Sequence, residues 1–294
     1  MNIDFNKTFW YKCGFGNRII TITNILHIAE ITNSYVKFPN NMLEYFNKNS
    51  FDLSNGKVSS YNGLGRNFYY HNEKSLQIYY KTLDIDRRRE LCKKYLIPNL
   101  KIYKPLNLPS DLLIIHIRSG DQIADCYKNR DKFNWEQNIN HFYSQFHPSY
   151  VIKPPCYFYD IITRNGYKNV KIITERDRTN PLISKVYNFC VNNNINIEIQ
   201  SDTLVNDMNT ILNAKHLIMG FSTFPLSLAL LSTNLEKLYC TTNDDDNNIN
   251  IYKNTFVNTT VYEIDMIKRY TSEEKHFAEM EEIMNLSSNS LKIL

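Results

Sequence analysis

The chain has 294 residues, with 34 Lys plus Arg against 30 Asp plus Glu and a net charge of +4 at neutral pH. That length holds one large domain or two modest ones with ample core. The slight basic excess admits an anionic ligand but lacks the dense stripe of a nucleic-acid binder.

Residues 1–10 carry no basic apolar leader, so neither a secretory signal nor an N-terminal anchor is expected, and the expected location is cytoplasmic. A first strand and turn are expected to end at Gly14-Phe15-Gly16-Asn17-Arg18. A helix follows over 19–31, where apolar residues recur at helical spacing. Residues 35–38 form the next expected strand, closed by Pro39. The stretch 40–80 is polar and aromatic, with turns at Asn62-Gly63 and Gly65, and receives no element. A helix is expected over 84–97. It carries Arg87, Arg88, Arg89, Lys93 and Lys94 interleaved with Asp84, Asp86 and Glu90, a mixture that reads as a solvated face rather than a binding stripe. Prolines from 98 to 109 punctuate a connection, which places a boundary near residue 106 and two domains over 1–105 and 106–294. The final helices of the chain then pack within the second domain or back on the first.

Residues 112–121, Leu-Leu-Ile-Ile-His-Ile-Arg-Ser-Gly-Asp, form the most informative segment. An apolar, β-branched run that ends in polar residues reads as a buried parallel strand with chemistry at its tip. In open α/β sheets ligands bind beyond such tips, so His116, Arg118 and Asp121 are candidates for holding a phosphorylated ligand. The guanidinium of Arg118 suits phosphate because it stays charged and presents a planar fork. The plainer alternative pairs Arg118 with Asp121 and makes His116 a satisfied core residue.

A polar loop over 122–150 contains Trp135, and a Pro-Pro turn at 154 and 155 follows. The remaining expected elements are helix 156–164, strand 170–174, helix 181–192, strand 195–200, helix 204–214, strand 216–219, helix 225–231 and strand 237–240. Such alternation implies an α/β fold with a parallel sheet covered by helices on both faces. The apolar stretch 217–231 is interrupted by Ser222, Thr223, Pro225 and Ser227 and reads as core rather than a membrane span. The six cysteines, at 13, 92, 126, 156, 190 and 240, lie far apart with no Cys-x-x-Cys pair. No zinc site is expected, and the thiols are expected to be reduced and mostly buried.

Three further constellations bear on function. Gly14-x-Gly16 resembles half of a dinucleotide fingerprint, although position 19 is Ile; its physical content is a helix N-terminus that a ligand can approach closely. Ser222-Thr223-Phe224-Pro225 opens a helix directly after a strand and offers either a second phosphate cradle or an ordinary cap. Asp207 and Asp202 lie near another strand end, where a carboxylate can accept the paired donors of guanine. Their alternatives are a first-turn acid and an N-cap. Glu175 and Asp177 end a further strand and are crevice candidates too.

In this order the segments resemble those of the α-1,2-, α-1,6- and protein O-fucosyltransferase superfamily of GT-B glycosyltransferases. The resemblance rests on Gly14-Phe-Gly16-Asn17-Arg18, on His116-Ile117-Arg118-Ser119-Gly120-Asp121, and on Asp207 and Ala214 leading to Ser222-Thr223-Phe224. It implies two Rossmann-like domains facing a cleft and an inverting, metal-independent transfer of fucose from the donor GDP-fucose to a glycan or glycoconjugate acceptor. By motif, Arg118 would bind the donor diphosphate, His116 would flank the nucleotide, and Asp207 would read guanine. Ser222, Thr223 and Phe224 would line the phosphates, while Gly14, Gly16 and Asn17 would face the donor from the other domain. Ser119 departs from the motif, where a second basic residue is common, and this implies either weaker diphosphate binding or a shift of that role to Arg18 or Arg176. Asp121 is the first candidate for the acceptor base and Asp125 the second. Trp135 and the tyrosines are available to stack on sugar rings. The rival expectations are a transferase using another nucleotide sugar and a noncatalytic sugar-nucleotide or glycan-binding module.

Overall fold

A strand that is apolar on both faces must lie inside a sheet covered on both sides, and Leu112–His116, buried at every position, occupies the middle of one. The computed structural model describes residues 14–54, 81–119, 153–178, 180–220, 222–241, 258–264 and 283–294. In chain order the helices are α1 (Phe15–Ile31), α2 (Ile85–Leu91), α3 (Pro155–Arg164), α4 (Pro181–Asn192), α5 (Leu204–Leu212) and α6 (Thr223–Leu231). The strands are β1 (Tyr35–Lys37), β2 (Ser50–Asp52), β3 (Leu112–His116), β4 (Asn169–Ile173), β5 (Asn196–Gln200), β6 (His216–Ile218), β7 (Lys237–Thr241), β8 (Thr259–Ile264) and β9 (Leu291–Ile293).

The main sheet runs β5-β4-β3-β6-β7-β8-β9. Its strands are parallel except for β9, which pairs antiparallel with β8. The chain starts in the middle at β3, winds outward through β4 to β5, crosses back, and then lays down β6, β7 and β8 on the other side. This is a doubly wound α/β sheet, and the direction of winding reverses between β3 and β6. At the outer end of the first half, β5 carries the exposed Asn196 and Glu198, and Glu198 pairs with Lys171 of β4 at 3.0 Å.

Alternate residues of β3 feed two separate cores. Leu112 and Ile114 join a cluster with α1, α2, α5 and α6, whereas Leu113 and Ile115 join one with α3 and α4. The caps are those that the sequence supplies. Asn180 accepts from the Leu182 N–H with Pro181 opening α4, Thr203 caps α5, and Ser222 caps α6.

Among the described residues, the region before the connecting segment contributes α1, α2 and a two-stranded antiparallel sheet of β1 and β2. Ile19, Ile22 and Leu26 of α1 share one core with Leu217 of β6 and Leu228 of α6. The proline-rich connection is laced onto α5 by two asparagines. Asn209 Oδ1 accepts from the Lys104 N–H at 2.8 Å, Asn213 Oδ1 accepts from the Leu106 N–H at 3.0 Å, and Asn213 Nδ2 donates to the Lys104 carbonyl at 2.9 Å.

Two expectations need correction. The helix expected over 84–97 is regular only to Leu91, then widens into a π turn at Cys92–Leu96 and a 3-10 turn at Ile97–Asn99, where Pro98 cannot continue an α-helix. Its arginines do not form a solvated face. Arg87 pairs with Glu30 and Glu90, and Arg88 Nη1 donates to Thr23 Oγ1 at 2.7 Å and Asn24 Oδ1 at 2.5 Å. Arg89 donates to the carbonyls of Ala229, Leu230 and Ser232. The reason is that α2 packs against both α1 and α6, whose polar groups and terminal carbonyls need donors. β2, β8 and β9 fall outside the elements expected from sequence; two of them are only three residues long and carry little periodic signal. The cysteines at 92, 156 and 190 are buried free thiols, Cys240 is buried as well, and burial pushes Cys92 up to about 12 and Cys156 and Cys190 up to about 11. Cys13 and Cys126 lie outside the described residues.

Arg89→Met would leave the α6 carbonyls without their charged donor. The expected loss is about 2–3 kcal/mol of folding stability, measured by urea denaturation of the variant beside the parent.

Candidate functional site

His116 ends β3 at the point where the winding reverses. The ladder continues one step further, with the Ile117 N–H bonded to the Ile173 carbonyl at 3.1 Å, and the chain then leaves the sheet through Arg118 and Ser119. Asn180 holds that exit in place. Its side chain donates to the Arg118 carbonyl at 2.8 Å, its backbone N–H donates to Ser119 Oγ at 3.1 Å, and its Oδ1 caps α4. Sequence reasoning did not single out Asn180 as a supporting residue. The signal present was Asn-Pro at a helix start, which marks a cap but not what else the cap holds.

The His116 ring is 5% exposed and lies 5.4 Å from the Phe224 ring. Its Nδ1 has no hydrogen-bond partner among the described residues, so His116 is not the satisfied core histidine of the plainer reading. Burial, assisted by the positive charge of Arg118, lowers its pKa to about 3 and keeps the ring neutral. Gly220, just past β6, leaves the room this ring needs. A Cβ there would lie 2.7 Å from the His116 carbonyl oxygen and 3.0 Å from Nδ1.

Gly16 brings α1 onto the start of α6, backbone against backbone. An added Cβ at Gly16 would lie 2.3 Å from the Thr223 carbonyl carbon and 2.5 Å from the Phe224 nitrogen. Side chains fasten the same junction: Thr223 Oγ1 donates to Asn17 Oδ1 at 2.6 Å, and Ser227 Oγ donates to the Gly16 carbonyl at 3.0 Å. Ser222 Oγ accepts from the Phe224 N–H at 3.2 Å, which is the capping role. At Gly14 a Cβ would meet open space, so that position makes no comparable demand.

Glu175 Oε2 accepts from the Ser119 N–H. Desolvation of its carboxyl raises the pKa although the residue as a whole is exposed, while the Ser119 bond and the Arg118 charge oppose that rise. The half-buried Arg118, the neutral His116 and the start of α6 thus surround the switch point. A cation at the tip of β3 and a helix N-terminus after β6, on the same edge of the sheet, are suited to an anion.

His116, Phe224, Thr223, Gly16 and Asn17 are therefore brought together. Asp207 is not joined to them by any hydrogen bond among the described residues. It is 9% exposed, and its Oδ1 accepts from Gln200 Nε2 at 2.8 Å and from the Asp202 N–H at 3.3 Å, tying the start of α5 to the end of β5. Asp202 accepts from the Thr203 N–H and from Asn206 Nδ2 and so serves the local turn. Gly120, Asp121, Asp125 and Trp135 lie outside the described residues.

Among the described residues there is no group of three or more His, Cys, Asp or Glu side chains placed to hold a metal ion, and no helix long and apolar enough to cross a membrane. Comparison of the chain with protein-family models, curated proteins and solved structures yields no match.

Gly16→Ala is expected to cost about 1–3 kcal/mol through overpacking, while Gly14→Ala changes stability by less than about 0.5 kcal/mol; paired urea denaturation curves check the contrast. His116 gives a pH signature. Its folded pKa of about 3 lies below the ordinary 6.5, so below pH 6.5 the unfolded chain takes up a proton that the native state refuses. Stability then falls by up to about 1.4 kcal/mol per pH unit toward the folded pKa. Denaturation at pH 7.5, 6.0 and 5.0 is expected to show a shallower acid loss in His116→Gln than in the parent.

Proposed function

We propose that this chain is an inverting glycosyltransferase of GT-B type that transfers fucose from GDP-fucose to a hydroxyl of a glycan or glycoconjugate. In this reading residues 1–105 supply the acceptor side and residues 106–294 the nucleotide-sugar side, joined among the described residues by the core that α1 shares with β6 and α6. One observation carries it. Three segments far apart in sequence meet at the switch point of a doubly wound sheet, with Gly16 and Asn17 against Thr223 and Phe224, and His116 against Phe224 at the foot of Arg118.

Arg118 meets the donor diphosphate and stabilises GDP as it departs. The bond between the sugar anomeric carbon and the phosphate oxygen breaks, and its electron pair leaves with GDP. The acceptor hydroxyl oxygen forms the new bond from the opposite face, and Asp121, close to Arg118 in the chain, takes the hydroxyl proton. The neutral His116 flanks the nucleotide without adding charge. The start of α6, with Ser222, Thr223 and Phe224, directs backbone dipoles at the phosphates, and Gly16 and Asn17, packed against Thr223, hold that helix start in place. Charge on the leaving group is met by a fixed guanidinium and oriented amides, so the proposal assigns no metal or other cofactor. The buried free thiols support a reducing, cytoplasmic setting.

A second reading has an observation in its favour. Asp207 is already engaged by Gln200 and the Asp202 N–H, which weakens its case as a reader of guanine and favours a GT-B transferase using another nucleotide sugar.

Mass spectrometry of an acceptor library incubated with GDP-fucose is expected to detect a fucosylated product. Arg118→Ala is expected to lower kcat/KM by about 100-fold or more while shifting folding stability by less than about 1 kcal/mol. Turnover from UDP-sugars with none from GDP-fucose would establish the second reading. GDP binding without transfer or donor hydrolysis would instead mark a noncatalytic binding module.

A further inference from the structure

We infer that Asn180 is the positioning residue of the anion site, setting the direction of the Arg118 side chain by clamping the peptide group that follows it. The inference rests on the reading above in one respect, that Arg118 receives the phosphates.

The peptide between Arg118 and Ser119 is held at both ends. Peptide groups are planar, and in the trans form the carbonyl and the N–H point in opposite directions. Here the Arg118 carbonyl accepts from Asn180 Nδ2 at 2.8 Å, while the Ser119 N–H donates to Glu175 Oε2. A third bond, from the Asn180 N–H to Ser119 Oγ at 3.1 Å, fastens the side chain that comes next. Upstream, the Ile117 N–H is still tied to the Ile173 carbonyl at 3.1 Å. Arg118 thus stands between the last rung of the ladder and a clamped peptide, which narrows the directions open to its Cα–Cβ bond.

Asn180 can exert this hold because it is itself fixed. It is 1% exposed, and its Oδ1 accepts from the Leu182 N–H at 3.0 Å in the first turn of α4, so both ends of one planar amide are in use. Turning that amide over would set oxygen against the Arg118 carbonyl and NH2 against the Leu182 N–H, so its partners dictate its orientation. Pro181 opens α4, and Leu182, Ile183 and Val186 bury the helix in the same core as Ile117. The clamp is therefore mounted on a packed helix.

The consequence is one of pre-organisation. An arginine whose backbone root wanders loses that freedom when an anion arrives, and the lost entropy weakens binding; a root fixed on folding carries no such penalty at the binding step. The same bond engages the negative end of the Arg118 peptide dipole at the start of α4. Anion affinity at Arg118 then depends on a buried side chain that stays off the ligand.

The test is isothermal titration calorimetry of the full chain with inorganic pyrophosphate, run on the parent, Asn180→Ser, Asn180→Ala and Arg118→Ala, with a urea denaturation midpoint for each. Serine is as good an N-cap as asparagine, but it carries no amide donor for the Arg118 carbonyl. Alanine loses cap and donor together. Asn180→Ser and Asn180→Ala are both expected to bind pyrophosphate about ten-fold more weakly than the parent and within about two-fold of each other. Only Asn180→Ala is expected to show the further drop in urea midpoint that loss of the cap brings. Affinity then follows the bond to the Arg118 carbonyl, and stability follows the cap. Parent affinity in Asn180→Ser, or a loss confined to Asn180→Ala that tracks its lower midpoint, would make Asn180 a helix cap alone; either result overturns the inference and leaves the reading of Arg118 standing. A parent chain that does not bind pyrophosphate, or an Arg118→Ala variant that binds it as tightly as the parent, overturns both together.

Discussion

The approach of α1 to α6 at Gly16 is the constraint on which the rest of the site depends. The two backbones meet where no side chain fits, and the Thr223–Asn17 and Ser227–Gly16 hydrogen bonds fix the register of that contact. Phe224 is thereby set against His116, and the start of α6 is aimed at the tip of β3. The same helix pair joins the apolar residues of α1 to those of the central sheet, so the geometry of the switch point and the stability of the core come from one interface.

The α/β alternation from β3 to β7 was legible because buried parallel strands and amphipathic helices leave strong periodic patterns, and the boundaries of α4 followed from Asn180 and Pro181. The convergence of His116, Phe224, Thr223 and Gly16 was partly legible, since strand tips and helix starts on a doubly wound sheet collect at one crest. Other features were not. The arginines of α2 looked solvated because mixed charge in sequence does not say what lies opposite, and only packing reveals that Thr23, Asn24 and the α6 carbonyls require donors. Asp207 carried a plausible spacing, yet its partners are Gln200 and Asp202, residues of its own neighbourhood. Short strands such as β2 and β9 exist through pairing rather than through any pattern of their own.

Electrostatically, the crest of the sheet separates roles among close neighbours. The buried imidazole of His116 is denied its proton by desolvation, assisted by the positive charge of the half-buried Arg118. The Glu175 carboxylate accepts from the backbone amide of Ser119. Desolvation sets these states as much as pairing does, which is why residues of the sheet interior share in tuning groups at its edge. Asn180 links the two regimes, since one side chain both starts a helix and holds the carbonyl of Arg118.

The two ends of the sheet are finished differently. On one flank β9 turns antiparallel against β8, while the other ends at β5 with Asn196 and Glu198 facing outward and Glu198 tied to Lys171. A flat apolar margin there would template strand addition by another copy of the chain. Charge and amide groups on β5 make such stacking unfavourable, so among the described residues this flank carries its own guard against fibrous self-association.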